Sequence, residues 1–152
     1  MTLEELPEWA LDLIRSERVA RLAFVDEDER PRVQPVTFAL VGDAIWSAID
    51  EKPKRTAEPA RVRRLRRRPE AALSVDVYSD DWSQLAWVQL LRRVEWLSVE
   101  QGGEGMAALA AKYEPYAERT PPGPLMRLAV ERALYWRATG NPRRDHSLQE
   151  PG

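Results

Sequence analysis

The chain has 152 residues, 43% hydrophobic and 32% charged, enough apolar material for one core and too much for a disordered chain. Its 23 basic and 25 acidic residues leave a formal charge of -2, so the whole molecule exerts no general pull on nucleic acid and any anion site has to be local. The lack of cysteine excludes disulfides, thiolate nucleophiles and cysteine-held metal centres, and the single histidine excludes His-rich metal sites.

The start, Met1-Thr-Leu-Glu-Glu-Leu-Pro-Glu-Trp, has acids where a signal peptide needs a basic start and an apolar run, and no stretch reaches the length of a membrane span. The expected setting is the cytoplasm. Leu6, Trp9, Ala10, Leu13 and Ile14 recur at three- and four-residue intervals, which predicts an opening helix within Leu3 to Val19. Val19 to Val25, the acidic Asp26-Glu-Asp-Glu-Arg30, and Pro31 to Leu40 read as strand, turn, strand. Pro35 predicts an edge or a bulge in the second strand, since proline has no N–H to give a ladder. Val41-Gly-Asp43 turns the chain into Ala44 to Ile49, which completes an expected three-stranded antiparallel meander.

From Lys52 to Arg68, nine of seventeen residues are basic. Val62 and Leu65 give this stretch one buried side, so a basic loop is expected to lead into a basic amphipathic helix stopped by Pro69. Ala71 to Tyr78 and Leu85 to Val99 read as strands, the second with a bend near Leu90-Leu-Arg-Arg93 where alternation breaks. Gln101-Gly-Gly103 ends it. Met106 to Tyr113 is helical in composition, followed by a Pro-rich loop through Pro124 and a last strand from Leu125 to Ala138. The whole reads as one domain over residues 1–140 with a polar tail at 141–152. About six strands, few helices and no βαβ alternation favour a barrel or curled antiparallel sheet.

Two places carry candidate chemistry. In Asp50-Glu-Lys-Pro-Lys-Arg-Thr56, the ammonium groups of Lys52 and Lys54, the guanidinium of Arg55 and the Thr56 hydroxyl are donors suited to a phosphate. The competing reading is a solvated or salt-bridged basic face. Nucleic acid along Arg61 to Arg68 is weaker, because no recognition helix or aromatic binding sheet accompanies it. The second place is Tyr78-Ser-Asp-Asp-Trp-Ser-Gln-Leu-Ala-Trp87, where a flat heterocycle would stack on tryptophan with Ser83 or Gln89 at its polar edge. Structurally, Trp82 would instead plug a barrel end and Trp87 fill the core or a subunit seam. Asp80 and Asp81 read as turn caps rather than a hydrolytic pair, and at least one is expected to cap. Met106 and Met126 read as core fillers, and His146 lies in the tail. No catalytic residue and no metal site is assigned, which favours binding or a cofactor whose own chemistry needs mainly positioning.

Taken in order, Arg18-Val-Ala-Arg-Leu-Ala, Pro31-Arg-Val-Gln-Pro-Val-Thr-Phe, Asp50-Glu-Lys-Pro-Lys-Arg, Arg64-Leu-Arg-Arg-Arg-Pro-Glu-Ala-Ala-Leu-Ser-Val-Asp and Asp80-Asp-Trp-Ser resemble the pyridoxamine 5'-phosphate oxidase-like split-barrel family. The likeness is greatest to its deazaflavin branch, which uses coenzyme F420. The resemblance implies a mainly β, six-stranded antiparallel split β-barrel with short flanking helices, forming a homodimer with cofactor sites along the subunit boundary. It implies ring-edge or backbone contacts at Pro35, Val36 and Thr37, phosphate ligands at Lys52, Lys54 and Arg55, an aromatic contact at Trp82 and a polar ring or dimer contact at Gln89. The implied activity is an F420-dependent oxidoreductase that passes a hydride to a small organic acceptor. Flavin mononucleotide (FMN) on the same scaffold is the alternative cofactor, and a noncatalytic cofactor- or nucleic-acid-binding protein the alternative function. The sequence replaces the family's usual glycine turn after Ala86-Trp-Val-Gln with Leu90-Leu-Arg-Arg93.

Overall fold

A computed structural model of the chain describes residues 2–49 and 59–138. Seven strands, β1 (Ala20–Val25), β2 (Pro31–Val36), β3 (Ala39–Val41), β4 (Ala44–Ser47), β5 (Glu70–Val77), β6 (Ala86–Leu97) and β7 (Leu125–Arg137), form one antiparallel sheet in the order β2-β1-β5-β6-β7-β4-β3. Four helices flank it: α1 (Glu8–Ser16), α2 (Ala60–Arg67), α3 (Gly103–Lys112) and α4 (Glu114–Glu118).

Seven strands rather than six arise because the expected strand from Pro31 to Leu40 divides at Thr37–Phe38. Its first half pairs with β1 and its second with β4, so the two edges of the sheet are consecutive pieces of chain. The sheet therefore curls until its edges meet at this seam, giving a half-barrel not fully closed by a ladder. Backbone groups at the seam are satisfied by side chains instead. The Thr37 carbonyl accepts from Ser47 Oγ (2.6 Å), and the Phe38 N–H donates to Tyr113 Oη (3.1 Å). The same hydroxyl lies 2.8 Å from the Arg18 carbonyl oxygen.

The expected three-stranded meander is corrected by the same division: β4 pairs with β3 and β7, not with β2. Gly42 opens the two-residue turn between β3 and β4 at φ 60°, a left-handed position that suits glycine. Pro35 does sit in an edge strand. The break near Leu91 and Arg92 is a register shift against β7, with Arg92 at φ 138° and Glu131 as the extra residue opposite.

The opening helix is shorter than its apolar stripe. Leu3–Glu5 is a 3-10 turn, and Pro7, extended and without an N–H, starts α1. Tyr113 stops α3, and α4 occupies the start of the expected Pro-rich loop, with Pro115 in its first turn where a missing N–H costs nothing. The acidic turn after β1 is fixed by Asp26, which is nearly buried and accepts from the N–H groups of Asp28 (2.9 Å) and Arg30 (3.0 Å). The Arg30 N–H, against the opposing effect of burial, holds its carboxyl below the ordinary value.

One core cluster joins Ala10 and Ile14 of α1 and Leu65 of α2 to the inward residues Leu22, Phe24, Leu73, Val75, Val88, Leu90, Met126 and Leu128. A second sits under α3, where Met106, Leu109 and Tyr113 meet Trp46 and Leu125. Met106 and Met126 fill core space as expected. Each fully buried large aliphatic side chain contributes roughly 1.5–3 kcal/mol.

Candidate functional site

Alternation along the strands turns Leu22, Leu73, Val75, Val88 and Leu90 into the core and leaves the opposite face of the sheet open. Register then aligns Pro35, Arg21, Ser74, Gln89 and Leu134 in one row across β2, β1, β5, β6 and β7. The next row is Val33, Ala23, Ala72, Leu91 and Arg132, and a third pairs Asp76 with Trp87 and Trp136. Val33 stands 64% exposed, while Ala23, Ala72, Leu91, Leu134, Trp87 and Trp136 are half-buried. Set into this largely apolar face are two adjacent half-buried polar side chains, Ser74 and Gln89, with no hydrogen-bond partner among the described residues. Arg21, beside them, pairs with Asp76 at 3.4 Å.

The residues expected at a cofactor site fall in different places. Pro35 and Gln89 share the outer row, three strands apart, or about 14 Å at ~4.8 Å per strand. Val36 is 7% exposed and its side chain belongs to the core, so only its backbone, on an edge strand, remains for a contact outside the core. Thr37 lies at the seam, its hydroxyl 2.9 Å from Tyr116 Oη. Trp82 is in the 3-10 turn Trp82–Gln84 between β5 and β6, 68% exposed, neither plugging the barrel nor packed in the core. Asp81 caps that turn by accepting from the Ser83 N–H (3.1 Å) and Oγ (2.8 Å), and the Ser83 hydroxyl is the main reason its carboxyl titrates below the ordinary value. Lys52, Lys54, Arg55, Thr56 and His146 lie outside the described residues.

The basic helix forms as expected, with Val62 and Leu65 fully buried. Its Arg61 and Arg64, and Arg68 at its C-terminal end, are engaged with the β1–β2 hairpin. Arg61 Nη1 donates to Gln34 Oε1 (3.1 Å), Arg64 Nε to Glu27 (2.7 Å) and Arg68 Nη2 to Glu29 (2.9 Å). The acidic turn thus balances the basic helix within the fold, and a nucleic-acid surface along Arg61 to Arg68 would have to break these pairs.

The seam has charged neighbours that the spacing of residues does not reveal. Lys112 Nζ sits 3.7 Å above the Phe38 ring and Arg18 lies 4.8 Å from the Tyr113 ring centroid. Burial, with the Arg18 charge adding to it, pushes the Lys112 ammonium down to about 8. Burial pushes the Tyr113 phenol up. Ser74, Arg21 and Tyr116 were also hidden; Ser74 alone had a visible signal, a hydroxyl amid the apolar run Ala71 to Val77. Among the described residues no group of three or more His, Asp or Glu is placed to hold a metal, and no helix is long and apolar enough to cross a membrane.

A curled antiparallel sheet parted along one seam, with helices over its ends, defines the split-barrel class. The chain belongs to the pyridoxamine 5'-phosphate oxidase family, which it matches over residues 6–137. No curated protein sequence matches it. Among solved structures, the conserved hypothetical protein Rv2991 of Mycobacterium tuberculosis is similar at 18% identity with TM-score 0.71, over 87% of this chain and 85% of that one. A heme binding protein of Mycobacterium smegmatis is similar at 20% identity with TM-score 0.70, over 90% of this chain and 57% of that one. A structure described as an F420 reductase is 19% identical with TM-score 0.62, over 84% of this chain and 98% of that one. At such identities the likeness is one of fold.

Proposed function

We propose that the protein is an F420-dependent oxidoreductase that acts as a homodimer, with the cofactor ring lying on the outer sheet face. The observation that carries this reading is the Ser74–Gln89 pair: two half-buried polar side chains, unpartnered among the described residues, in a largely apolar face and in register with Pro35. A flat heterocycle with hydrogen-bonding edges suits that surface, because the apolar side chains bury its faces and the amide and hydroxyl satisfy its edge. Chemically, the residues present therefore fit such a group.

When bound, the reduced deazaflavin supplies a hydride at a ring carbon. Lys52, Lys54 and Arg55 hold the phosphate-bearing arm. Pro35, the Val36 backbone and Thr37 border the ring, Gln89 bonds its polar edge, and the exposed Trp82 contributes an aromatic surface. A second copy of the chain covers the face and excludes water, so that the acceptor meets the ring in a fixed orientation. The solved fold described as an F420 reductase supports this choice, as does the phosphate-suited donor set at residues 52–55. FMN satisfies the same ring geometry and is separated by experiment.

Titration of the purified protein with F420 and with FMN, followed by ring fluorescence, tests the reading. Saturable F420 binding in preference to FMN is expected. Absence of F420 binding at low and moderate salt would overturn it, and a yellow protein that prefers FMN would reassign the cofactor. Charge-assisted contacts are worth roughly 1.5–3 kcal/mol each, so Lys52→Ala with Lys54→Ala is expected to weaken binding more than tenfold with the melting temperature unchanged.

A further inference from the structure

A cleft of about 460 Å³ separates α1 from the end of the sheet, within the size range of ligand pockets. Helix α1 contributes Trp9, Asp12, Leu13 and Ser16, which share one stripe at i, i+3, i+4 and i+7. Opposite stand the segment after Trp82 and the end of β7, ending in Arg137. Ala86 and Arg137 are paired residues, and each is the strand neighbour of an outward-facing tryptophan, Trp87 or Trp136. The cleft therefore opens on the opposite side of the β6–β7 ladder from Gln89.

Its chemistry is divided. Trp9, Leu13, Leu85, Ala86 and Ala138 form a half-buried apolar wall. Arg137 lies over that wall with its guanidinium 4.9 Å from the Trp9 ring centroid, and it has no acidic partner among the described residues. This cation–π contact holds the guanidinium at the Trp9 ring, and its N–H groups have no acidic acceptor among the described residues. The acid in the cleft, Asp12, is already paired with Arg15 at 3.4 Å, and Arg15 also meets Glu8 at 3.4 Å. One available guanidinium beside a neutralised acidic rim suits a single negative charge and disfavours a dianion such as a phosphate monoester.

We infer that this cleft is a binding site for a small monocarboxylate with an apolar body, the carboxylate on Arg137 and the body against Trp9, Leu13 and Leu85. It stands apart from the cofactor reading, because none of its residues belongs to the outer row. The test uses the full chain without cofactor, with 1-naphthoate as probe and 1-naphthalenemethanol as its neutral counterpart, measured by calorimetry and saturation-transfer NMR.

Single-site naphthoate binding is expected, about five- to tenfold tighter than the alcohol, the value being kept low because Arg137 is exposed. Arg137→Gln removes the preference but not the folding transition, since the side chain sits on the surface. Ser16→Trp, at an exposed position on the cleft rim, fills the space and abolishes binding of both probes. Equal affinity for acid and alcohol, a preference retained in R137Q, binding retained in S16W, or no saturable binding would each overturn the inference. Failure here leaves the F420 titration unaffected, and the converse also holds.

Discussion

Among the described residues, Lys112 is the one whose environment most alters its titration. A half-buried ammonium over the Phe38 ring, 3.5 Å from the Ile14 carbonyl and close to Arg18, gives up its proton at about 8 instead of the usual value near 10.5. The folded state then binds fewer protons than the unfolded one between those values, so this group costs stability in full below pH 8 and the cost is relieved as pH rises toward 10.5. Lys112→Met removes the titration while keeping the stem. Melting temperatures of the two proteins, compared from pH 7 to 9.5, are expected to shift in favour of wild type as pH rises. A difference independent of pH would show the amine to be freely hydrated. The raised Tyr113 phenol acts in the opposite sense and only above its ordinary value of 10, outside this window.

Among the elements, α3 shows how close approach overrides propensity. Gly105 faces the Trp46 ring so closely that an added Cβ would lie 2.1 Å from Trp46 Cδ2, and Trp46 is buried at 2% exposure. Helix propensity alone favours Gly105→Ala by up to about 1 kcal/mol. Overpacking against a rigid ring costs about 1–3 kcal/mol and decides the sign. Thermal or urea unfolding is therefore expected to show net destabilisation of G105A, and a stabilised variant would mean that Trp46 moves readily.

Legibility of the elements followed periodicity. β1, the acidic turn, the bent β6, β7 and α2 were readable because alternation, turn residues or an apolar stripe marked each one. The division of Pro31 to Leu40 was not, because nothing local distinguishes a strand that pairs with one partner from a strand that changes partner midway; the hydroxyls of Ser47 and Tyr113 that make the change tolerable are distant in sequence. Gln101-Gly-Gly103 read as the end of a strand, and β6 does end before it, but that α3 starts at Gly103 was not legible, since Gly102 and Gly105 are there for their close approach to Trp46. Of the candidate site, register alone could align Ser74 and Gln89, and register depends on the topology that local pattern leaves open.

For the molecule as a whole, the outer sheet face is the surface on which the proposed dimer would depend. Val33 projects from it on an edge strand that carries Pro31 and Pro35, residues that discourage edge-to-edge pairing and so leave face-to-face association as the route to a dimer. Light scattering during gel filtration is expected to give twice the chain mass for wild type and a monomer for Val33→Glu, with an unchanged circular dichroism spectrum. A monomeric wild type at micromolar concentration would count against the shared-face arrangement. Burying a carboxylate opposite Ala23 is costly, so partial dissociation at high concentration is the least effect expected.

The place of β7 in the sheet bears on how the protein is made. It pairs on one side with β6 and on the other with β4, Ala44 meeting Ala129. During synthesis the outer edge of β4 must wait unpaired until residues 125–137 have left the ribosome. The nascent protein is consequently exposed to mispairing over that interval, and chains halted before residue 125 should be substrates for chaperones and proteases rather than partial barrels.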